Sequence, residues 1–418
     1  MVYDISSFIN KDIFIVECGE KRFLVYAPLA GLALWVTKEE LESFKETSVG
    51  IQSSTSITEV WNQLQMKDSI LRSAMPEDID ELTILINQRC NFSCSYCYSA
   101  QGRSSVELDT THLHHVLDFF IRKERGNNLK IVFSGGGDPV LSFSKFRDAV
   151  EYAEMLANGQ NIALTFGMVT NGSTLTDDHI GFIKEHHVQL VLSFDILKDV
   201  HNKQRSHFEI VVATLFRMIN AGLTFGLRCT ITPLNVSRQC EMVETLHRHF
   251  PQIKSAAFEA VLSRDLYKTE IEQTFFYDQF VIHYFKARKL GEQYGIDVGN
   301  TIYNSVECCK IRSCLGKLVV TPNGALTACS RISMPKEAHY ELFKFGEIDS
   351  EGIAIDHKKY NSLMADNAQY HSECHTCIAK WHCGGGCLLA RKTLTDRMPT
   401  YCNFMKNMVI ETLKYNLR

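Results

Sequence analysis

Cysteine placement limits what this chain can become more than any other feature. There are 15 cysteines in 418 residues, three of them in the run Cys90-x3-Cys94-x2-Cys97 and nine more between Cys308 and Cys402. In a reducing compartment thiols stay free, and clustered cysteines there bind metal or carry redox chemistry more often than they pair. Such a compartment is what the N-terminus suggests: MVYDISSFINKDIF places Asp4, Lys11 and Asp12 where a signal peptide has its apolar core. No segment reaches the roughly 20 uninterrupted apolar residues a bilayer demands. The chain therefore reads as cytoplasmic, with no membrane partner.

Three thiolates are one short of a closed tetrahedral site. The first run fits structural zinc completed by a fourth ligand, or a 4Fe–4S cluster with one iron open to a small molecule. The downstream set reads Cys314-x9-Gly324-x4-Cys329, then Cys374-x2-Cys377-x5-Cys383-x3-Cys387, then Cys402. By spacing alone it also fits one or two structural zinc sites. Composition excludes other classes: 45% hydrophobic and 22% charged residues are ordinary for a globular protein, and a net charge of -4 supplies no basic field for nucleic acid or anionic lipid. The length suggests about three domains.

After residue 80, strand and helix patterns alternate, the signature of βα units around a parallel sheet. The expected strands are Leu82–Ile86, Leu129–Phe133, Ile162–Val169, Gln189–Phe194, Phe225–Thr232 and Ala256–Leu262. Between the first two, Leu113, Val116, Leu117 and Phe120 recur at helical spacing after the cap candidates Asp109 and Thr110. Six units predict an open, partial (β/α)6 TIM-like barrel, whose chemistry belongs at the carboxyl ends of the strands.

The motifs fall at those ends. Cys90, Cys94 and Cys97, with Tyr96 before the last, follow the first strand; Ser134-Gly-Gly-Gly-Asp138-Pro139 follows the second. Thr170-Asn171-Gly172 follows the third, and Ser193-Phe-Asp195, with His201 and Arg205 beyond, follows the fourth. Over roughly residues 80 to 405 this order resembles the radical S-adenosylmethionine (SAM) enzymes that carry a C-terminal SPASM domain. The resemblance implies a 4Fe–4S cluster on Cys90, Cys94 and Cys97, whose open iron binds SAM and whose electron cleaves it to a 5'-deoxyadenosyl radical. It implies SAM contacts at Tyr96, Gly136, Gly137, Asp138, Asn171, Ser193, Asp195 and Arg205. Three departures stand out: Asp138 where the family's GGEP motif has Glu, Ile196 where a Gly follows the Asp, and Asn202 in place of a second Asp.

The same resemblance implies two auxiliary 4Fe–4S clusters, three in all. Cys308, Cys314, Cys329 and Cys387 would hold the first, and Cys374, Cys377, Cys383 and Cys402 the second. Cys308 is preferred to Cys309 because its x5 gap to Cys314 matches relatives with two full clusters; if neither reaches, the first cluster has an open iron. Cys18, Cys229, Cys240 and Cys309 need no role. Gly384-Gly385-Gly386 would let the chain wrap closely around the inorganic core.

Before the barrel, IFIVECG, KRFLVYAP and LALWVT read as three short strands with a turn at Gly19-Glu20. The helix-like KEELESFKE and ITEVWNQLQ follow, separated by the polar stretch Ser48–Ser56. The order resembles the winged-helix-like peptide-recognition element of ribosomal-peptide maturases, where a leader peptide adds a strand to a sheet edge. The expected division is 1–78 for this element, 79–300 for the barrel and 301–418 for the SPASM region. The implied function is a peptide maturase that abstracts hydrogen from a side-chain carbon of a precursor peptide with a leader segment. It would form a carbon–carbon (cyclophane-type) or thioether crosslink, with a flavodoxin or ferredoxin as reductant. An anaerobic sulfatase maturase shares the cluster pattern, but its proposed base is an Asp after the Cys at position 329, where this chain has Ser330. A noncatalytic, zinc-stabilised peptide-binding scaffold is the third reading. Glu259, His201 and Arg331 are general-base candidates by position alone, and the catalytic base stays unassigned.

Overall fold

The structure, a computed structural model, describes residues 2–3, 12–19, 22–42, 70–263, 265–367 and 372–417. Four antiparallel strands open the chain in the order β1 (Val2–Tyr3), β2 (Phe14–Glu17), β3 (Arg22–Ala27) and β4 (Leu32–Thr37). Period-two alternation makes the sheet apolar on both faces. Ile13, Ile15, Val25, Ala27, Val36 and Leu41 pack on one side. On the other, Phe14, Val16, Leu24 and Tyr26 pack on Ile378, Ala379, Val409 and Leu413 of the C-terminal region. Of the two expected helices, the first starts at Lys38, where Thr37 and Glu40 exchange side-chain to backbone hydrogen bonds of 2.7 and 3.2 Å as a capping box. Glu20, Ser48–Ser56 and ITEVWNQLQ lie outside the described residues. Gly19 does take the left-handed conformation a tight turn requires, with φ 80°.

All six expected barrel strands are present: β6 (Glu81–Ile84), β7 (Asn128–Phe133), β8 (Ala163–Thr170), β9 (Gln189–Ser193), β10 (Phe225–Ile231) and β11 (Ser255–Ala260). Each pairs in parallel with the next, and β12 (Asp297–Gly299) adds a seventh. The helix Thr110–Phe120 illustrates why the crossovers form. Asp109 caps it by accepting from Thr111 N, and Leu113, Val116, Leu117 and Phe120 are its buried stripe. Each such side chain contributes about 1.5–3 kcal/mol by leaving water.

Among the described residues the sheet stays open, and it runs on past residue 300. β14 (Leu318–Val320) pairs in parallel with β6, and β15 (Ala325–Thr327), β16 (Lys344–Asp349) and β17 (Gly352–Ile355) continue antiparallel, giving one sheet of eleven strands. A separate two-stranded pair joins β5 (Ile70–Leu71) to β13 (Cys309–Lys310). The region rich in cysteine is therefore hydrogen-bonded onto the first barrel strand, whose end carries Cys90, Cys94 and Cys97. The last helix, Met398–Asn416, closes the assembly against the helix Glu270–Tyr294, where Tyr277 and Phe404 stack at 4.3 Å.

Candidate active site

From β6 the chain runs through buried Leu85, Ile86, Asn87 and Gln88 into the cysteine loop. The glycine motif after β7 grips that loop. Gly137 N donates to Asn87 O at 2.8 Å and Asp138 N to Arg89 O at 2.7 Å, while Asn87 Nδ2 donates to Asp138 O at 2.9 Å and Ser142 Oγ at 2.8 Å. A Cβ on Gly137 would lie 1.9 Å from Arg89 O, so no larger residue fits without moving the loop. Glycine here answers first to the approach of two backbones.

Cys90, Cys94 and Cys97 line a cavity of about 580 Å³ together with Gln88, Phe92 and Arg103. Burial, and to a lesser degree Cys97 and Cys90, push the Cys94 thiol up to about 11, although Arg205 opposes the shift. The downstream thiols form two further groups. Burial, with Cys387 and Cys314, pushes Cys329 up to about 12. Burial, with Cys402, Cys377 and Cys374, does the same to Cys383. Metal centres take cysteine as thiolate, so a centre bound by such sets would have to displace the proton that burial favours. Cys308 sits exposed, its Sγ 3.8 Å from the Ser305 carbonyl, and Cys309 turns toward Pro28 O at 3.4 Å.

The sequence-predicted SAM contacts gather into two internal networks. In the first, Asp138 Oδ2 accepts from Asn171 N at 2.7 Å and from Thr170 Oγ1 at 3.0 Å, and its Oδ1 accepts from Val140 N at 3.1 Å. Both carboxylate oxygens thus tie the end of β8 to the glycine loop. In the second, Arg205 Nη1 donates to Tyr96 Oη at 2.7 Å, and Tyr96 donates to Asp195 Oδ2 at 2.7 Å. Gln204 Nε2 and Thr230 N complete the fully buried Asp195 at 3.0 and 3.1 Å. Burial raises the Asp195 carboxyl, and Arg205 is the main force that lowers it again. Ser193 ends β9 in register with Arg228 of β10.

The departures from the family pattern are accommodated. Ile196 keeps the left-handed backbone with φ 62°, fully buried, where a glycine would carry no steric penalty. Asn202 Oδ1 accepts from Phe208 N at 3.0 Å at the start of the next helix. The base candidates are otherwise engaged. Glu259 accepts from Thr301 N at 3.0 Å and Oγ1 at 2.5 Å, and Arg331 lies 5.0 Å over the Tyr98 ring.

His201 is fully buried, takes a 3.3 Å bond from Asp195 N on Nδ1, and is pushed down to about 3, chiefly by burial and then by Arg205. Below pH 6.5 the unfolded chain therefore binds a proton that the native state refuses, and stability falls with falling pH. Between about pH 7 and pH 5 this group alone should remove about 2 kcal/mol. Urea unfolding at both pH values checks it: His201→Phe should flatten that part of the pH dependence, and an unchanged slope would exclude His201 as its source.

Several buried polar atoms around the cysteine loop have no hydrogen-bond partner: Asn87 Oδ1, both side-chain polar atoms of Gln88, Arg103 Nη1 and Arg205 Nε. Buried polar atoms need partners, and a polar cofactor beside a cluster on Cys90, Cys94 and Cys97 fits this donor set. A family model described as "Radical SAM superfamily" matches residues 84–246. Residues 84–246 form a radical SAM domain. At 22% identity it is similar to "Radical SAM cyclopropyl synthase TigE" of Paramaledivibacter caminithermalis, across 93% of this chain and 79% of that protein. At 21% it is similar to a "Cysteine-type anaerobic sulfatase-maturating enzyme" of Clostridium perfringens, across 76% and 91%. An uncharacterized protein of Methanocaldococcus jannaschii is 24% identical across 41% of this chain, which spans only 60% of that relative's length.

Solved structures carry the same fold. The chain matches anSMEcpe with bound AdoMet at TM-score 0.65 and 17% identity, over 80% of this chain and 99% of that one. It matches Streptococcus suis SuiB bound to precursor peptide SuiA at 0.51 and 13%, over 90% and 94%. Sequence reasoning passed over Gln88, Arg103, Tyr98 and Gln204, which bear on the same cavity or networks. Only their closeness to the motif cysteines and to Arg205 in sequence could have marked them.

Proposed function

We propose that this enzyme is a peptide maturase that abstracts a hydrogen from a side-chain carbon of a ribosomally made precursor peptide and forms a carbon–carbon, cyclophane-type or thioether crosslink. The observation that carries the reading is the gathering of Cys90, Cys94 and Cys97 in one cavity beyond β6, the strand onto which β14 of the region rich in cysteine pairs. When bound, the cluster on the first three cysteines and SAM would supply the hydrogen-abstracting radical. In this reading Tyr96, Gly136, Gly137, Asn171, Ser193 and Arg205 form the SAM side of the cavity, and Asp138 and Asp195 hold it in shape through the bonds described above. Cys314, Cys329 and Cys387, with Cys308 as fourth ligand, and Cys374, Cys377, Cys383 and Cys402 hold two auxiliary clusters. The N-terminal sheet receives the leader peptide along an edge, and a flavodoxin or ferredoxin supplies the electron. The precursor peptide bound by SuiB favours a peptide substrate.

Formylglycine formation in a sulfatase is the second reading, favoured by the sulfatase-maturating relatives. Ser330 in the place of that family's expected base argues against it. Iron, sulfide and zinc on anaerobically reconstituted protein, followed by SAM, reductant and an assay for 5'-deoxyadenosine, test the proposal. About twelve irons with deoxyadenosine support it; zinc without SAM cleavage overturns it. With a precursor peptide, loss of two hydrogens marks a crosslink, whereas a hydrazide-reactive aldehyde marks formylglycine.

A further inference from the structure

Six residues beyond Cys97, Arg103 ends a short 3-10 turn, Ala100–Gly102. The turn is pinned on both sides. A Cβ on buried Gly102 would lie 2.5 Å from Glu337 Oε1 and 3.1 Å from Gln88 Oε1, and the Arg103 carbonyl accepts from Lys336 Nζ at 3.0 Å. That fixes the direction of a half-buried guanidinium. Its Nη2 donates to Cys97 Sγ at 3.2 Å, and Cys90 lies within reach of the same charge. Its Nη1 is buried and has no hydrogen-bond partner. A partly desolvated cation whose side-chain partner is the Cys97 sulfur is costly beside a neutral group, so the geometry calls for negative charge there.

We propose that Arg103 tunes the SAM-binding cluster: its guanidinium donates to the Cys97 sulfur and raises the cluster's reduction potential. The inference rests on the function proposed above. Reduction adds negative charge to the cluster, and both N–H···S bonds and a nearby cation stabilise the added charge; hydrogen bonds to sulfur and net charge are among the factors that set such potentials. The planar fork matters because Nη2 holds Cys97 while Nη1 keeps a second donor aimed beside it, which a lysine ammonium at the same place does less well. Arg103 acts through the cysteines and is not a catalytic residue.

The test is a redox titration of reconstituted full-length enzyme followed by electron paramagnetic resonance, reading the signal that changes when SAM is added. Arg103→Gln should lower the midpoint of that signal, cutting the reduced-to-oxidised ratio at a fixed potential about tenfold, or about 59 mV for a one-electron couple. The auxiliary signals should stay unchanged, and Arg103→Lys should fall between the two. An unchanged midpoint in a fully loaded Gln variant overturns the proposal. Should the Gln variant not hold that cluster, Lys decides: a midpoint below wild type supports the proposal, and one equal to wild type overturns it. Absence of any SAM-responsive signal in the wild type would instead overturn the enzyme's proposed function.

Discussion

Replacing Cys90, Cys94 and Cys97 together with Ala will abolish 5'-deoxyadenosine formation and leave about eight irons per chain, the content of two 4Fe–4S clusters. The expectation follows from the separation of the thiol groups. The first three line the cavity at the end of β6, and the other two groups lie in the segment after residue 300. The loop should survive the change, because Asn87, Gly137 and Asp138 hold it through hydrogen bonds that involve no thiol. Iron and sulfide analysis beside the activity assay decides the matter. Loss of all iron would mean that the three groups do not load independently, and retention of about twelve irons would remove these cysteines from the cluster.

Arg205→Ala will destabilise the barrel by about 3–5 kcal/mol, the cost of stranding a buried charge. Asp195 is fully buried and Arg205 nearly so, and Tyr96 joins them through two 2.7 Å hydrogen bonds. Without the guanidinium, the carboxylate keeps only neutral donors, and burial drives it toward protonation. Urea unfolding of the variant checks this, and a loss under about 1 kcal/mol would show that Tyr96 and Gln204 suffice. In folded, reconstituted protein the iron content should be unchanged and SAM affinity reduced; unchanged affinity would take Arg205 out of the SAM site.

The six parallel strands were legible because each is a short apolar run bounded by turn residues, and such runs are buried wherever they pair. Motif order along successive strand ends pointed to Cys90, Cys94 and Cys97, which line one cavity, and to Tyr96, Asp195 and Arg205, which share one hydrogen-bonded network, even though Ile196 and Asn202 break the pattern. The route of Asp138 was not. Its carboxylate is turned inward to Thr170, Asn171 and Val140, a direction that depends on how two loops meet. The same holds for Glu259, whose position on β11 suggests chemistry but whose oxygens are engaged by Thr301. Arg103 escaped notice because a lone arginine after a motif is usually solvated, and nothing local says that it is turned toward sulfur.

By itself the sequence determined the alternation of strands and helices and the order of the cysteine sets, since both are written in residue spacing and need no knowledge of distant contacts. Only the tertiary structure decided that β14 joins β6, so that residues after 300 extend the barrel sheet, and that the N-terminal sheet docks its Phe14, Val16, Leu24 and Tyr26 on the C-terminal region. It also decided which polar side chains stay unpartnered around the cysteine loop. These facts depend on which apolar faces and hydrogen-bonding edges meet across hundreds of residues, and that pairing is settled by burial of whole surfaces rather than by any local pattern.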